Sequence, residues 1–412
     1  MKKILTIAAL GGLFAASTAQ ADVNIYIAGS TAFRANVFRA VTTAFDGGAP
    51  TKINPANAGT GTGVYTAQGT ISSIYGGQTV TIYASFNGSV QGLEDLMNNT
   101  SITFTNITPG GAAVPAVPTI TFSDVDKIST LAANAAVTET PVAVLPFVYC
   151  RNYYTPTTVT NITGHQLLSL WANGLLPLSY ITGNTSDYSK FMYVTGRNQD
   201  SGTRVCASAD AFYTGTPTIY GYNNATTWEV MTQNLSGTLY GPGYSSGGNE
   251  ASALTNQLTK VGGVGVSAIG YLGLNDALTV AGNASTGTGQ GKNNGGGNCS
   301  IIAYDGVLPF NNYAISTSSS QTLVPAFPDF TPIIEGQYSF WSYENIETPV
   351  THTLNQDTTY QYYTNMVQAL DTDVLNAENA GGNSSTYGPV TAIRISEMKC
   401  SRSSVGGAIT PN

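Results

Sequence analysis

The sequence predicts an α/β fold whose chain is divided between two lobes. Two observations carry that prediction. Apolar, strand-like runs repeatedly feed a short Gly/Ser/Thr loop that opens a helix-like run. The chain that follows the N-terminal segment, about 390 residues, also exceeds what a single hydrophobic core usually organises.

Met1-Lys2-Lys3, the apolar stretch Ile4 to Ala16, and Ala19-Gln20-Ala21 form the basic, hydrophobic and small-residue regions of a signal peptide over residues 1–21. Cleavage is expected after Ala21, leaving a mature chain from Asp22 that is periplasmic or secreted. No cysteine stands at the cleavage point to carry a lipid anchor. No later apolar run approaches the roughly 20 residues of a membrane-spanning helix.

The first strand-like run, Val23 to Ile27, enters Ala28-Gly29-Ser30-Thr31 and then a helix from Ala32 to Phe45, with Phe33, Val37, Phe38, Val41 and Phe45 on one face. Thr79 to Ala84 enters Asn87-Gly88-Ser89 and a helix from Val90 to Met97. Pro118 to Phe122 enters Ser123-Asp124, where a carboxylate replaces the hydroxyl pattern. Lys190 to Val194 enters Arg197-Asn198-Gln199-Asp200-Ser201-Gly202-Thr203, followed by a helix from Arg204 to Phe212. A helix start offers unpaired N–H groups and about half a positive charge; Ser and Thr add hydroxyl donors, and Arg adds a planar, two-pronged cation. An ordinary Ser/Thr helix cap beside a surface arginine is the alternative for that loop taken alone. Open α/β sheets bind ligands at the carboxyl ends of their strands, and four such loops converging would surround a tetrahedral anion. Near the end of the chain, Tyr360 to Leu370 is expected to form a helix with Met366, Val367 and Leu370 in the core, and Val390 to Ile395 a late strand.

These loops, in this order, resemble the PstS-type phosphate-binding proteins of bacterial ABC transporters, members of the periplasmic binding protein superfamily. Gly29-Ser30-Thr31, Gly88-Ser89, Ser123-Asp124 and Arg197 to Thr203 match the family's binding loops, the last without a gap. Gly247-Gly248-Asn249-Glu250, and Gly263 to Leu272, are similar to two further segments of the family. The resemblance implies an α/β, two-lobed fold with a hinge of two crossovers and the ligand cleft between the lobes. Lobe I would comprise residues 22–146 and 338–412, and lobe II residues 147–337. It implies capture of inorganic phosphate and its delivery to ABC permease membrane subunits. The implied phosphate contacts are Thr31, Ala32, Ser89, Asp124, Arg197, Ser201, Gly202 and Thr203. Ala32 stands where the family usually carries Phe, and Val90 where a second Ser or Gly is common; amide contacts survive both changes. Extra Gly/Thr/Ser-rich sequence, around residues 47 to 78 and 99 to 118, is expected to form surface hairpins or loops.

Asp124 separates phosphate from sulfate on simple chemistry. Protonated phosphate carries an O–H that needs an acceptor; sulfate at neutral pH has none, and would set like charges together in a desolvated pocket. Arg197 is expected to pair with both Asp124 and the anion. The alternative for Asp124 is a helix cap before Lys127 to Leu131.

The chain has 15 basic and 23 acidic residues, and loss of Lys2 and Lys3 leaves a formal charge of −10. Acids remote from a pocket are screened beyond roughly 8 to 10 Å, so an acidic chain can bind an anion locally. Without a basic stripe, nucleic acid is excluded as a partner. Only 9% of residues are charged, with 46 Gly and 24 Tyr, so amides and hydroxyls must solvate the surface. That leaves self-association open, and with it the alternative of an extracellular structural or surface-assembly protein with a vestigial or repurposed pocket.

Cys150, Cys206, Cys299 and Cys400 form an even set, so two disulfides are expected after export. Of three pairings, Cys150–Cys206 with Cys299–Cys400 is preferred because the first two fall in lobe II; buried thiols are the alternative. The Gly/Asn/Thr-rich run 281–298 reads as a flexible surface loop, and its Gly289 to Asn293 lacks the phosphate-loop pattern. His165 and His352 are the only histidines, and neither belongs to a catalytic or metal motif. The expectation is a binding protein, with no enzyme activity, metal or cofactor.

Overall fold

The computed structural model describes residues 22–130, 136–222, 228–231, 242–255, 260–261, 264–281, 299–315, 324–325, 327–350, 358–379 and 390–412. The expected signal peptide, residues 282–298 of the Gly-rich run, and His352 lie outside the described residues.

The first part of the chain forms β1 (Val23–Gly29), α1 (Arg34–Thr43), β2 (Lys52–Asn54), β3 (Val64–Thr70), α2 (Ser72–Tyr75), β4 (Thr79–Ser85), α3 (Ser89–Met97), β5 (Ile102–Phe104), β6 (Val114–Ala116), β7 (Ile120–Ser123) and the long β8 (Val137–Arg151). Then come β9 (Asn161–Ile162), α4 (Gly164–Asn173), β10 (Leu175–Pro177), α5 (Ser179–Thr182), β11 (Phe191–Val194), α6 (Gly202–Asp210), β12 (Tyr220–Tyr222), β13 (Trp228–Val230), α7 (Gly247–Leu254), β14 (Lys260–Val261), β15 (Val264–Gly265), β16 (Ser267–Gly273) and α8 (Leu274–Ala281). The remainder forms β17 (Ser300–Tyr304), α9 (Thr331–Ile334), β18 (Trp341–Pro349), α10 (Thr358–Asn379), β19 (Cys400–Ser401) and β20 (Thr410–Pro411).

The architecture is the two-lobed α/β arrangement expected. A twelve-stranded sheet runs β10-β11-β16-β8-β18-β7-β1-β4-β3-β2, with β17 joining β8 and β9. β1 lies parallel to β4 and β7, and β11 parallel to β16. Ile25, Ile27, Ile82 and Ile120 share one face of β1, β4 and β7 and are fully buried, while Asn24, Tyr26 and Tyr83 on the other face are exposed or half-buried. β8 serves both halves: Val137 to Pro146 pairs with β18, and Phe147 to Arg151 with β16. Pro141, which has no N–H to give the ladder, sits where the β8–β18 register shifts.

Residues 47–78 hold a hairpin, β2–β3, as expected, but not one confined to the surface: β3 also pairs along β4 and extends the main sheet, with Tyr65, Ala67, Ile71 and Tyr75 buried. Residues 99–118 do hold the expected hairpin, β5–β6, although its Phe104 is buried against Tyr26 and Tyr83. The late strand at 390–395 reduces to one bridge, Val144 with Ile393, because Arg394 turns to Asp371 and a 3-10 turn follows at Ile395–Glu397. Neither expected disulfide forms. All four cysteines are buried thiols. Cys150 lies in the sheet beside Gly270 and Ile301 with Cys299 close by, Cys206 donates to the Asp124 carbonyl, and Cys400 donates to the Ile333 carbonyl. The C-terminal helix is present and longer than expected, with Met366 and Leu370 buried. No helix among the described residues is long and apolar enough to cross a membrane.

Candidate oxyanion site

Three loops from the first half meet one from the second. After β1 the chain turns at Ser30, whose N–H donates to the Phe122 carbonyl (2.7 Å) and whose hydroxyl accepts from Phe33 N–H (3.3 Å), leaving Thr31 buried at the foot of α1. After β4, Gly88 has φ +120°, and a Cβ there would stand 2.4 Å from the Asp200 carbonyl oxygen. Only glycine satisfies both constraints, and this lets Val90 N–H donate to that carbonyl at 3.1 Å. Ser89 then opens α3. After β7, Asp124 is 1% exposed. It is not a helix cap, since the following 3-10 turn, Lys127–Ser129, has Asp126 at its cap position.

From the second half, β11 leads to Arg197, which is 3% exposed. Its Nε donates to the Tyr244 carbonyl (3.0 Å), and its Nη2 to the Ser245 carbonyl (3.0 Å) and to Thr31 Oγ1 (3.3 Å). Its N–H donates to Tyr271 OH (3.0 Å). Ser201 caps α6, its hydroxyl accepting from Arg204 N–H (3.3 Å). Thr203 Oγ1 donates to Asp124 Oδ2 (3.1 Å). Gly202 is pressed onto the same carboxyl: a Cβ there would lie 1.6 Å from Asp124 Oδ1 and 2.8 Å from Ser89 Cβ.

The structure therefore brings Thr31, Ser89, Asp124, Arg197, Gly202 and Thr203 to one point. Ser201 serves there as the cap, and Ala32 packs against Gly273 at the end of β16. The expected Arg197–Asp124 pair is not formed. The guanidinium is taken up by the Tyr244 and Ser245 carbonyls and by Thr31, so it acts on Asp124 only through space.

Burial pushes the Asp124 carboxyl above its usual range, opposed by the Ser89 and Thr203 hydroxyls and by the Arg197 charge. Asp124 Oδ1 is a buried acceptor with no hydrogen-bond donor among the described residues. Burial lowers the Arg197 guanidinium, which Glu250, Asp276, Tyr271 and Asp124 counter. Glu250, fully buried with Tyr271 N–H on its Oε1, is pushed up to about 8 by burial. Burial and then the Glu94 charge push Asp200 up to about 6. A cation, a helix N-terminus and hydroxyls thus face the buried Asp124 carboxyl.

Sequence reasoning missed Arg34, Asp276 and Glu344 around this point. Glu344, on β18, accepts from Ser30 Oγ at 3.2 Å. Arg34 donates to the Thr31 carbonyl and to Asp276 Oδ1, 2.8 Å away on α8. One signal could have found Arg34: a cation in the first turn of a helix opposes the helix dipole, so something else must hold it.

No family model and no curated protein matches the chain. Solved structures resemble it distantly. A phosphate-bound ABC transporter substrate-binding protein from Clostridium perfringens shares 12% identity over 90% of this chain and 99% of its own, with a TM-score of 0.47. An ABC-type phosphate transport receptor from Vibrio cholerae shares 13% over 86% and 97%, with a TM-score of 0.45. PstS from Borrelia burgdorferi shares 12% over 87% and 97%, with a TM-score of 0.38. Likeness at this level says nothing of what this chain binds.

Proposed function

We propose that this protein captures inorganic phosphate between its two halves and presents it to the membrane subunits of an ABC permease, acting as a binding protein without catalysis. The observation that carries the reading is Asp124 Oδ1, a buried acceptor without a donor, set beside the start of α6 and within the field of Arg197. Such an atom suits a ligand that brings its own proton. Phosphate does so near neutral pH and sulfate does not.

In this reading Thr31, Ser89, Ser201 and Thr203 supply hydroxyls, Ala32, Gly202 and Thr203 supply amides, Arg197 supplies the charge, and Asp124 is the selector. The lobes are residues 22–146 with 338–412, and 147–337. The change of β8 partner after Pro146 and the start of β18 at Trp341 support those boundaries. Export, and so a periplasmic or secreted location, rests on the pattern in residues 1–21. Each charge-assisted hydrogen bond contributes about 1.5 to 3 kcal/mol. Desolvation and closure offset much of the sum, and the expected affinity is micromolar or tighter, about 8 kcal/mol or more.

The test is equilibrium dialysis of the 22–412 protein and its Arg197→Ala variant against labelled phosphate. Retention by the parent and none by the variant supports the reading; equal retention contradicts the site.

A further inference from the structure

Arg34 is the first residue of α1, at the positive end of its own helix, and the N-cap residue Phe33 gives that end no side-chain hydrogen bond. A guanidinium is disfavoured there. Its partner is in the other half of the molecule: Asp276, in the first turn of α8, 2.8 Å from Nη2 and 2% exposed. That carboxylate is well placed, since it lies at the N-terminus of its own helix and its Oδ2 packs against Gly247 at the start of α7. The other arm of Arg34 donates to the Thr31 carbonyl, and Thr31 Oγ1 in turn accepts from Arg197 Nη2. The Asp276 charge also acts on Arg197. One carboxylate from the second half thus answers two arginines, one from each half. Separation of the halves would strand Arg34 against its own helix dipole and release Thr31.

We propose that Arg34 is a positioning residue of the anion site: with Asp276 it forms the ion pair that holds the two halves closed and fixes Thr31 beneath Arg197. The second part of this statement rests on the phosphate reading; the first does not.

The experiment uses the 22–412 protein, Arg34→Gln, Asp276→Asn, the double variant Arg34→Gln/Asp276→Asn, and Arg34→Lys. Small-angle scattering without added ligand reads closure, and stopped-flow release of inorganic phosphate reads the site. Each single neutral variant is expected to have a larger radius of gyration than the parent. Each is also expected to release phosphate on the order of tenfold faster, because the closed form that retains the anion loses its ion pair. The double variant is expected to lose no more than either single, the signature of a coupled pair, and Arg34→Lys to recover part of the loss. Singles as compact as the parent, or single effects that add, overturn the proposal. If Arg34→Gln does not fold because Asp276 is left buried and unpaired, the double variant and Arg34→Lys carry the comparison. A parent that binds no phosphate sinks the proposed function, while the scattering still decides the clasp.

Discussion

Gly202 rests directly on Asp124. A Cβ on Gly202 would fall 1.6 Å from the carboxyl oxygen Oδ1, so the start of α6 and the loop after β7 approach as closely as backbone permits. Between them sit the Thr203 hydroxyl on Oδ2 and the Ser89 side chain.

Gly202→Ala therefore tests whether that approach forms the site. Alanine suits a helix better than glycine by up to about 1 kcal/mol, so α6 itself loses nothing. The added methyl must push α6 away from Asp124. Phosphate affinity is expected to fall on the order of 100-fold, the worth of one or two charge-assisted hydrogen bonds, with a modest fall in melting temperature because the displaced Asp124 and Ser89 are buried. Calorimetric titration beside a thermal melt separates the two; unchanged affinity would place the ligand elsewhere.

Asp124→Asn tests selection. The amide keeps the shape and the contact with Thr203 but carries no charge to repel an unprotonated anion. Sulfate, rejected by the parent, is expected to compete measurably with phosphate in the variant. If the variant rejects sulfate as strongly as the parent, the carboxylate is not the selector.

The strand–loop–helix units were legible because the strands put buried apolar residues such as Ile25, Ile27 and Ile82 at alternate positions and their loops carry helix-start residues. Six of the eight site residues expected from those loops do meet at one point. Side-chain partners were harder. Arg197 was expected on Asp124, but the Tyr244 and Ser245 carbonyls, more than forty residues away, claim the guanidinium. Arg34 and Asp276 are 242 positions apart, and no local pattern joins them. β3 was hidden because Val64 to Thr70 contains Thr, Gln and Gly and gains its place from pairing with β4. The run Val390 to Ile395 erred the other way: Val390 to Ile393 are buried one after another rather than in alternation, and only Ile393 finds a strand to pair with.

Stability is expected to fall as pH rises from about 4.5 to about 8. Glu250 has its pKa raised from the ordinary 4.5 to about 8 by burial, so in this window the folded protein holds a proton that the unfolded chain has released. Fewer protons bound in the unfolded state means that unfolding free energy declines with pH, the decline ending above the folded value. Asp200, raised to about 6, adds to the slope in the lower part of the window. Glu250→Gln keeps the oxygen that accepts Tyr271 N–H and removes the titration. Urea midpoints at pH about 5.5 and about 8 should differ in the parent and differ less in the variant, the remaining difference coming from Asp200 and the other buried carboxyls that burial raises. A parent whose midpoint rises with pH contradicts this account of Glu250.

Thiol chemistry gives a further check. The protein unfolded in denaturant without reductant is expected to titrate four thiols, one for each of Cys150, Cys206, Cys299 and Cys400. Two fewer would mean a disulfide where the structure places separate thiols.

The central claim is that Asp124, buried at the start of α6, makes the site take an oxyanion that carries a proton. Calorimetric titration of ligand-stripped 22–412 protein with phosphate and, separately, with sulfate tests it most directly. The account predicts saturable one-to-one binding of phosphate and no heat of binding with sulfate. Binding of sulfate as tight as phosphate, or silence with both, would contradict it.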